Sequence, residues 1–151
     1  MKELFFISGL PRSGSTLLSA ILRQNPDFYA DISSPVQGLV ESTINVITDS
    51  ASNHLIDEPR RRHIIRALVQ SYYDAVKPNT VFDTSRRWTS KTALLKELYP
   101  QTKIICCVRD LPWILDSFER IVAKNTLYNA VMTVDESCQS VTTRCDALMD
   151  V

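Results

Sequence analysis

The stretch that most constrains the fold is Leu4-Phe5-Phe6-Ile7-Ser8-Gly9-Leu10-Pro11-Arg12-Ser13-Gly14-Ser15-Thr16-Leu17-Leu18. Lys2 to Ser8 is a near-continuous apolar run, the pattern of a central strand buried on both faces of a parallel sheet. It stops at Gly9. A short loop with a second glycine and three hydroxyls follows, and then Leu17, Leu18, Ile21 and Leu22 recur at helical spacing up to Asn25-Pro26. This strand–loop–helix order is that of a phosphate-binding loop. Gly9-x4-Gly14 followed by Ser15-Thr16 fits G-x4-G-K-[ST] at every position but one: Ser15 stands where the lysine belongs, and a cation sits three residues earlier as Arg12.

The remaining chain alternates strand and helix signals. Asp27 to Ile32 reads as a short second strand. Ser34-Pro35 starts a helix carrying Val36, Leu39, Val40, Ile44 and Ile47. Thr48 to Asp57 is a polar loop. Glu58-Pro59 opens a helix with Ile64, Ile65, Leu68, Val69 and Tyr72, closed by Lys77-Pro78. Thr80 to Thr84 is a strand, Thr89 to Tyr99 a helix and Lys103 to Val108 a strand. Leu111-Pro112 opens a helix to about Lys124, and Met132 to Val151 is helical by periodicity. The expected fold is α/β, three-layer α/β/α with a central parallel sheet, like the P-loop-containing nucleoside triphosphate hydrolases. Right-handed crossovers then bring the loops after strands one, three and four to one sheet edge. Those loops hold Arg12 to Thr16, Ser85 to Arg87, and Arg109 to Pro112.

Composition narrows the function classes. The 151 residues carry 17 Lys and Arg against 17 Asp and Glu, so no global field draws the chain to nucleic acid or acidic lipid; an anion site must come from local placement of cations. No apolar stretch approaches the ~20 residues of a membrane span. Phe5 to Leu10 is too short for a signal peptide. Cys106, Cys107, Cys138 and Cys145 lack metal-ligand spacing, and the expectation is reduced, buried thiols in a cytoplasmic protein.

The loop chemistry follows from its residues. Gly14, Ser15 and Thr16 present backbone N–H groups at a helix N-terminus, where about half a positive charge collects. Ser13, Ser15 and Thr16 add hydroxyls, and Arg12 a planar fork of charged donors. In enzymes using ATP or GTP a lysine reaches the β/γ-phosphates, and a hydroxyl and an acidic residue hold Mg²⁺. Here that lysine is absent, and strand four ends in Arg109-Asp110, with the cation first. These features disfavour metal-assisted phosphoryl transfer. A second constellation, Val108-Arg109-Asp110-Leu111-Pro112, leads from a strand into a helix. Ser117, eight residues beyond Arg109, is placed to grip one terminal phosphate with it; a salt bridge from Arg109 to Asp110 or Asp116 and an ordinary helix serine are the bland readings.

Pro11-Arg12-Ser13-Gly14-Ser15-Thr16 resembles the 5′-phosphosulfate loop of the sulfotransferases that use 3′-phosphoadenosine 5′-phosphosulfate (PAPS). Arg109 with Ser117, approached through Tyr99-Pro100 and Lys103-Ile104-Ile105, resembles their 3′-phosphate motif. The resemblance spans positions 4 to 120. It implies that Arg12, Ser13, Gly14, Ser15 and Thr16 bind the 5′-phosphosulfate and that Arg109 and Ser117 bind the 3′-phosphate. The implied reaction is metal-independent in-line transfer of a sulfuryl group to a hydroxyl or amine, leaving PAP. Arg12 would stabilise charge on the departing phosphate. Family members are usually longer, so the expectation is one sulfotransferase-like domain over 1–151, incomplete at its C-terminal end. An atypical P-loop kinase and a non-catalytic PAP- or nucleotide-binding interaction module are the alternatives.

The catalytic base is less legible. The tyrosylprotein branch of the family carries a Glu where spacing from Arg12 puts Ser33; Asp31, two residues away, is the first candidate, ahead of His54 and of His63 beside Arg60-Arg61-Arg62. Arg86 or Lys91 could supply a second cation to the leaving phosphate. Trp88 could stack on adenine or wall the acceptor pocket, against a plain packing role. The sequence names no acceptor.

Overall fold

The structure is a computed structural model that describes residues 2–49 and 53–124. The chain divides into two units, residues 1–108 and 109–151. In the first, β1 (Glu3–Gly9), β2 (Phe28–Ala30), β3 (Thr80–Thr84) and β4 (Ile104–Cys107) form one parallel sheet in the order β2-β3-β1-β4. Between them run α1 (Ser15–Leu22), α2 (Val36–Thr48), α3 (Glu58–Tyr73), a 3-10 turn (Trp88–Lys91) and α4 (Thr92–Leu98). The α/β expectation holds.

Alternation along β1 explains the layers. Leu4 and Phe6 face a core built with Val36, Val40, Ile65, Val69, Tyr73, Trp88, Leu95 and Leu98, so α2, α3 and α4 cover that side. Ile7 faces Ala30 and Phe82, with Leu18 and Leu22 packed on them, so α1 covers the other. The stripe expected on α1 is only half used: Leu17 and Ile21 are exposed. Asp57 caps α3 by accepting the Arg60 N–H at 2.9 Å, and the Ser34 hydroxyl accepts the Val36 N–H at 3.1 Å where α2 begins.

Two expectations need correction. The helix expected from Thr89 to Tyr99 is a 3-10 turn followed by α4, broken at Lys91, whose φ of −120° is not helical. The cysteines of β4 are free, as expected, but not both buried: Cys106 is exposed and Cys107 half-buried, because β4 is an edge strand among the described residues. Cys138, Cys145 and the expected helix from Met132 to Val151 lie outside those residues. In the second unit the described element is α5 (Leu111–Lys124), with Asp116 and Arg120 paired at 3.0 Å across one turn. Among the described residues no helix is long and apolar enough to cross a membrane.

Candidate functional site

The strand order sets the site. β1 lies between β3 and β4, while the chain leaving β1 runs through α1 to β2 on the far side of β3. The C-terminal end of β1 is therefore a switch point, where open parallel sheets leave a crevice for ligands. The loop between β1 and α1 occupies it.

Each glycine of this loop is there for a different reason. Gly9 has a φ of 144°, and a Cβ on it would strike the Cys107 carbonyl oxygen and stand 2.8 Å from Ser13 Oγ. Both conformation and space exclude a side chain. Gly14 has a φ of 111°, but a Cβ there would meet nothing within 4 Å. Only its dihedral demands glycine, and the space in front of it is open. Between them the Ser13 N–H closes a turn on the Leu10 carbonyl at 3.1 Å. Among the described residues Arg12, at a φ of 67°, is the non-glycine residue in the left-handed region.

The loop delivers donors. The first helical bond of α1 runs from the Leu18 N–H to the Gly14 carbonyl at 3.0 Å, so the N–H groups of Ser15, Thr16 and Leu17 precede it. No side chain caps this helix, and its first turn holds no acidic residue. Among the described residues the Ser13 hydroxyl is buried without a hydrogen-bond partner. Arg12 and Thr16 are exposed, Ser13 and Ser15 half-buried. The backbone N–H groups ahead of the first helical bond and the Ser13 hydroxyl are groups of the kind an oxyanion satisfies.

The loop after β3 is stitched to the strand beneath. The Ser85 N–H donates to the Ile7 carbonyl at 3.0 Å, the Ser8 hydroxyl to the Arg86 carbonyl at 3.1 Å, and the Thr89 N–H to the Ser8 hydroxyl at 3.2 Å. Arg86 is thus held one residue from the start of the phosphate loop, with its side chain exposed. Its two cationic neighbours are committed elsewhere: Arg87 pairs with Glu41 at 3.0 Å and Lys91 with the same carboxylate at 3.4 Å. The Gln37 amide donates to Glu41 as well, and these donors hold the Glu41 carboxyl below the usual range.

Asp83, which the sequence reading passed over, is the most deeply buried carboxylate described, at 1% exposure. It accepts from Trp88 Nε1 at 2.6 Å, from Ser34 Oγ at 2.8 Å and from the Tyr73 hydroxyl. Burial pushes its carboxyl above the usual range; the three donors oppose that shift. The same burial, with the neighbouring carboxylate, pushes the Tyr73 phenol upward. An aspartate inside the apolar run of a strand was the only available signal.

Several expected residues are placed differently. Trp88 is 1% exposed, packed edge-on against Phe6 with centroids 4.8 Å apart. It is a core residue and presents no face for stacking on adenine. Asp31 follows a β2 that ends early: Ala30 is level with Phe82, and Phe82 with Phe5. Asp31 therefore lies three residues below Gly9 and two strands across, roughly 10 Å in each direction. It accepts from the Tyr29 hydroxyl and stands 3.9 Å from Arg23. A proton acceptor beside the loop is not what this geometry makes of it. His54 and His63 are both exposed. In the second unit Arg109 is exposed in the link from β4 to α5, and Ser117 is half-buried on α5.

A model of the sulfotransferase family matches residues 5–150. No curated protein matches the chain.

Proposed function

Because this chain belongs to the sulfotransferase family, we propose that it moves a sulfuryl group from PAPS to a hydroxyl or amine acceptor by in-line displacement. The observation that carries the donor assignment is the start of α1: N–H groups ahead of the first helical bond, no cap, no acid in the first turn, and a buried Ser13 hydroxyl lacking a partner. The open space before Gly14 leaves room for a tetrahedral oxyanion.

PAPS supplies a sulfuryl group already activated by a phosphate leaving group. The residues of the chain do the rest. Ser13, Ser15 and Thr16 orient the 5′ anion with the helix terminus. Arg12, with φ held at 67°, lays its fork on oxygens whose charge grows during transfer. Arg86, stitched through its carbonyl to Ser8, is the second cation of this edge; Lys91 is retained by Glu41. Arg109 and Ser117 take the 3′-phosphate. Asp31 would have to leave Tyr29 and Arg23 to serve as base, which argues for a different proton acceptor.

Calorimetry with PAP, with ATP–Mg²⁺ and with buffer tests this reading. Metal-free binding of PAP in preference to ATP–Mg²⁺ supports it. Binding of ATP that requires Mg²⁺, with none of PAP, would transfer the chain to the kinase reading.

A further inference from the structure

Resting on that reading, we propose that Asp83 is a positioning residue of the transfer site: through Trp88 and Ser34 it holds the cationic loop 85–91 and the start of α2 against the strand that carries the phosphate loop. Its carboxylate sits on β3 level with Phe6, on the face covered by α2, α3 and α4. An apolar residue would fill such a place at less electrostatic cost, so the value of an acid lies in what it fastens.

Its donors come from three separate segments. Tyr73 belongs to the last turn of α3, Ser34 to the link between β2 and α2, and Trp88 to the turn after β3. Two of the three lie on loops that leave the C-terminal sheet edge, where the phosphate loop also lies. Ser34 is fixed on three sides: its hydroxyl donates to Asp83 and accepts the Val36 N–H, while its own N–H donates to the Thr84 carbonyl at 3.0 Å. Trp88 is fixed by its indole N–H on Asp83 and by its backbone N–H on the Ser85 carbonyl at 3.2 Å.

The consequence falls on Arg86. The loop that carries it is bound to Ser8 of β1 on one side and, through Trp88, to Asp83 of β3 on the other. A guanidinium on a doubly anchored backbone can be aimed, whereas one on a free loop must be ordered at each binding event. Asp83 touches no ligand and acts only through these partners. An asparagine keeps the shape but offers one acceptor and a donor, so it cannot receive all three hydrogen bonds.

Three variants test this: Asp83→Asn, Trp88→Phe, which removes the indole N–H and keeps an aromatic ring, and the two combined. Val69→Ala, a cavity in the same core away from these loops, serves as control. PAP affinity, thermal midpoint and amide exchange at Ser85 and Thr89 are measured for each. Each single change should raise the PAP Kd on the order of tenfold and speed exchange at both amides, with the double variant not additive. Val69→Ala should lower the midpoint yet leave PAP affinity within about twofold. PAP affinity in Trp88→Phe and Asp83→Asn no more altered than in the control overturns the proposal. Should Asp83→Asn fail to fold, Trp88→Phe and Ser34→Ala decide in the same way. A wild-type chain that binds no PAP overturns the proposed function instead; the exchange rates then judge the anchoring alone, and unchanged rates at Ser85 and Thr89 sink it.

Discussion

Replacing Gly9 by alanine should cost far more than the same change at Gly14, and the difference is set by what surrounds each. At Gly14 the penalty is conformational only: a φ of 111° forced on an L side chain, about 1–3 kcal/mol, with open space for the methyl group. At Gly9 a comparable strain at φ 144° is joined by collisions with the Cys107 carbonyl and Ser13 Oγ. Cys107 is hydrogen-bonded strand backbone paired with Gly9 itself, so it cannot swing aside as a flexible side chain would. Overpacking of this kind adds about 1–3 kcal/mol. Gly9→Ala should therefore lose about 2–6 kcal/mol, a large share of the roughly 5–15 kcal/mol available to a domain. Urea unfolding of both variants, followed by circular dichroism, measures the gap. Equal losses at the two positions would refute the close approach of β4 to the end of β1, and with it the account of how the phosphate loop is shaped.

Four further expectations follow from the same geometry. Arg12→Gly should be more stable than Arg12→Ala by about 1–2 kcal/mol, since both lose the side chain and only glycine sheds the left-handed penalty; both should lose PAP affinity, and equal denaturation midpoints would count against strain at this residue. Arg109→Ala should weaken PAP far more than adenosine 5′-phosphosulfate, which lacks the 3′-phosphate; calorimetry showing equal losses removes that assignment. Asp31→Asn should keep transfer within about threefold, against the ~10²–10⁴ lost with a true general base; a loss of that larger size in a sulfate-transfer assay would restore Asp31 as base. Stability should fall between about pH 10 and 12. The Tyr29 phenol is pushed up to about 12, chiefly by its bond to Asp31, and that of Tyr99 to about 12 by burial. The protonated forms favour the fold, so their contribution is complete below the ordinary phenol value and disappears as pH passes the raised one. Unfolding curves that stay superimposable across that range contradict it.

The parts legible in the sequence were those written in consecutive residues. Gly9 and Gly14 announced their loop because spacing, an apolar strand before and a helical stripe after all lie within one stretch. Glu58-Pro59 and Leu111-Pro112 marked helix starts for the same reason. What escaped depends on partners far along the chain. Asp83 is understood only with Ser34, 49 residues before it, and with Tyr73 and Trp88. Trp88 looked available for stacking because nothing local says that Phe6 and Asp83 enclose it. The stripe on α1 is real, yet α1 packs only Leu18 and Leu22 on the sheet and leaves Leu17 and Ile21 exposed. Arg86, Arg87 and Lys91 could be ranked only once Glu41, from α2, was seen to take two of them.

The place of β1 in the sheet also bears on how the molecule comes into being. Its neighbours are β3 and β4, the two described strands farthest from it along the chain: Glu3 pairs with Thr80, 77 residues on, and Phe6 with Ile104, farther still. β2, the strand made next after it, does not touch it. Closing such long intervals is entropically slow, and chains dominated by distant pairings fold at the slow end of the range. During synthesis β1 must wait, apolar and unpaired, until Thr80–Thr84 have left the ribosome, and its other edge stays open until Ile104–Cys107 follow. Only then does Cys107 arrive against Gly9 and give the loop its form. Anion binding at that loop would thus report on completed folding, and a nascent or truncated chain ending before β4 should carry the whole motif without the site.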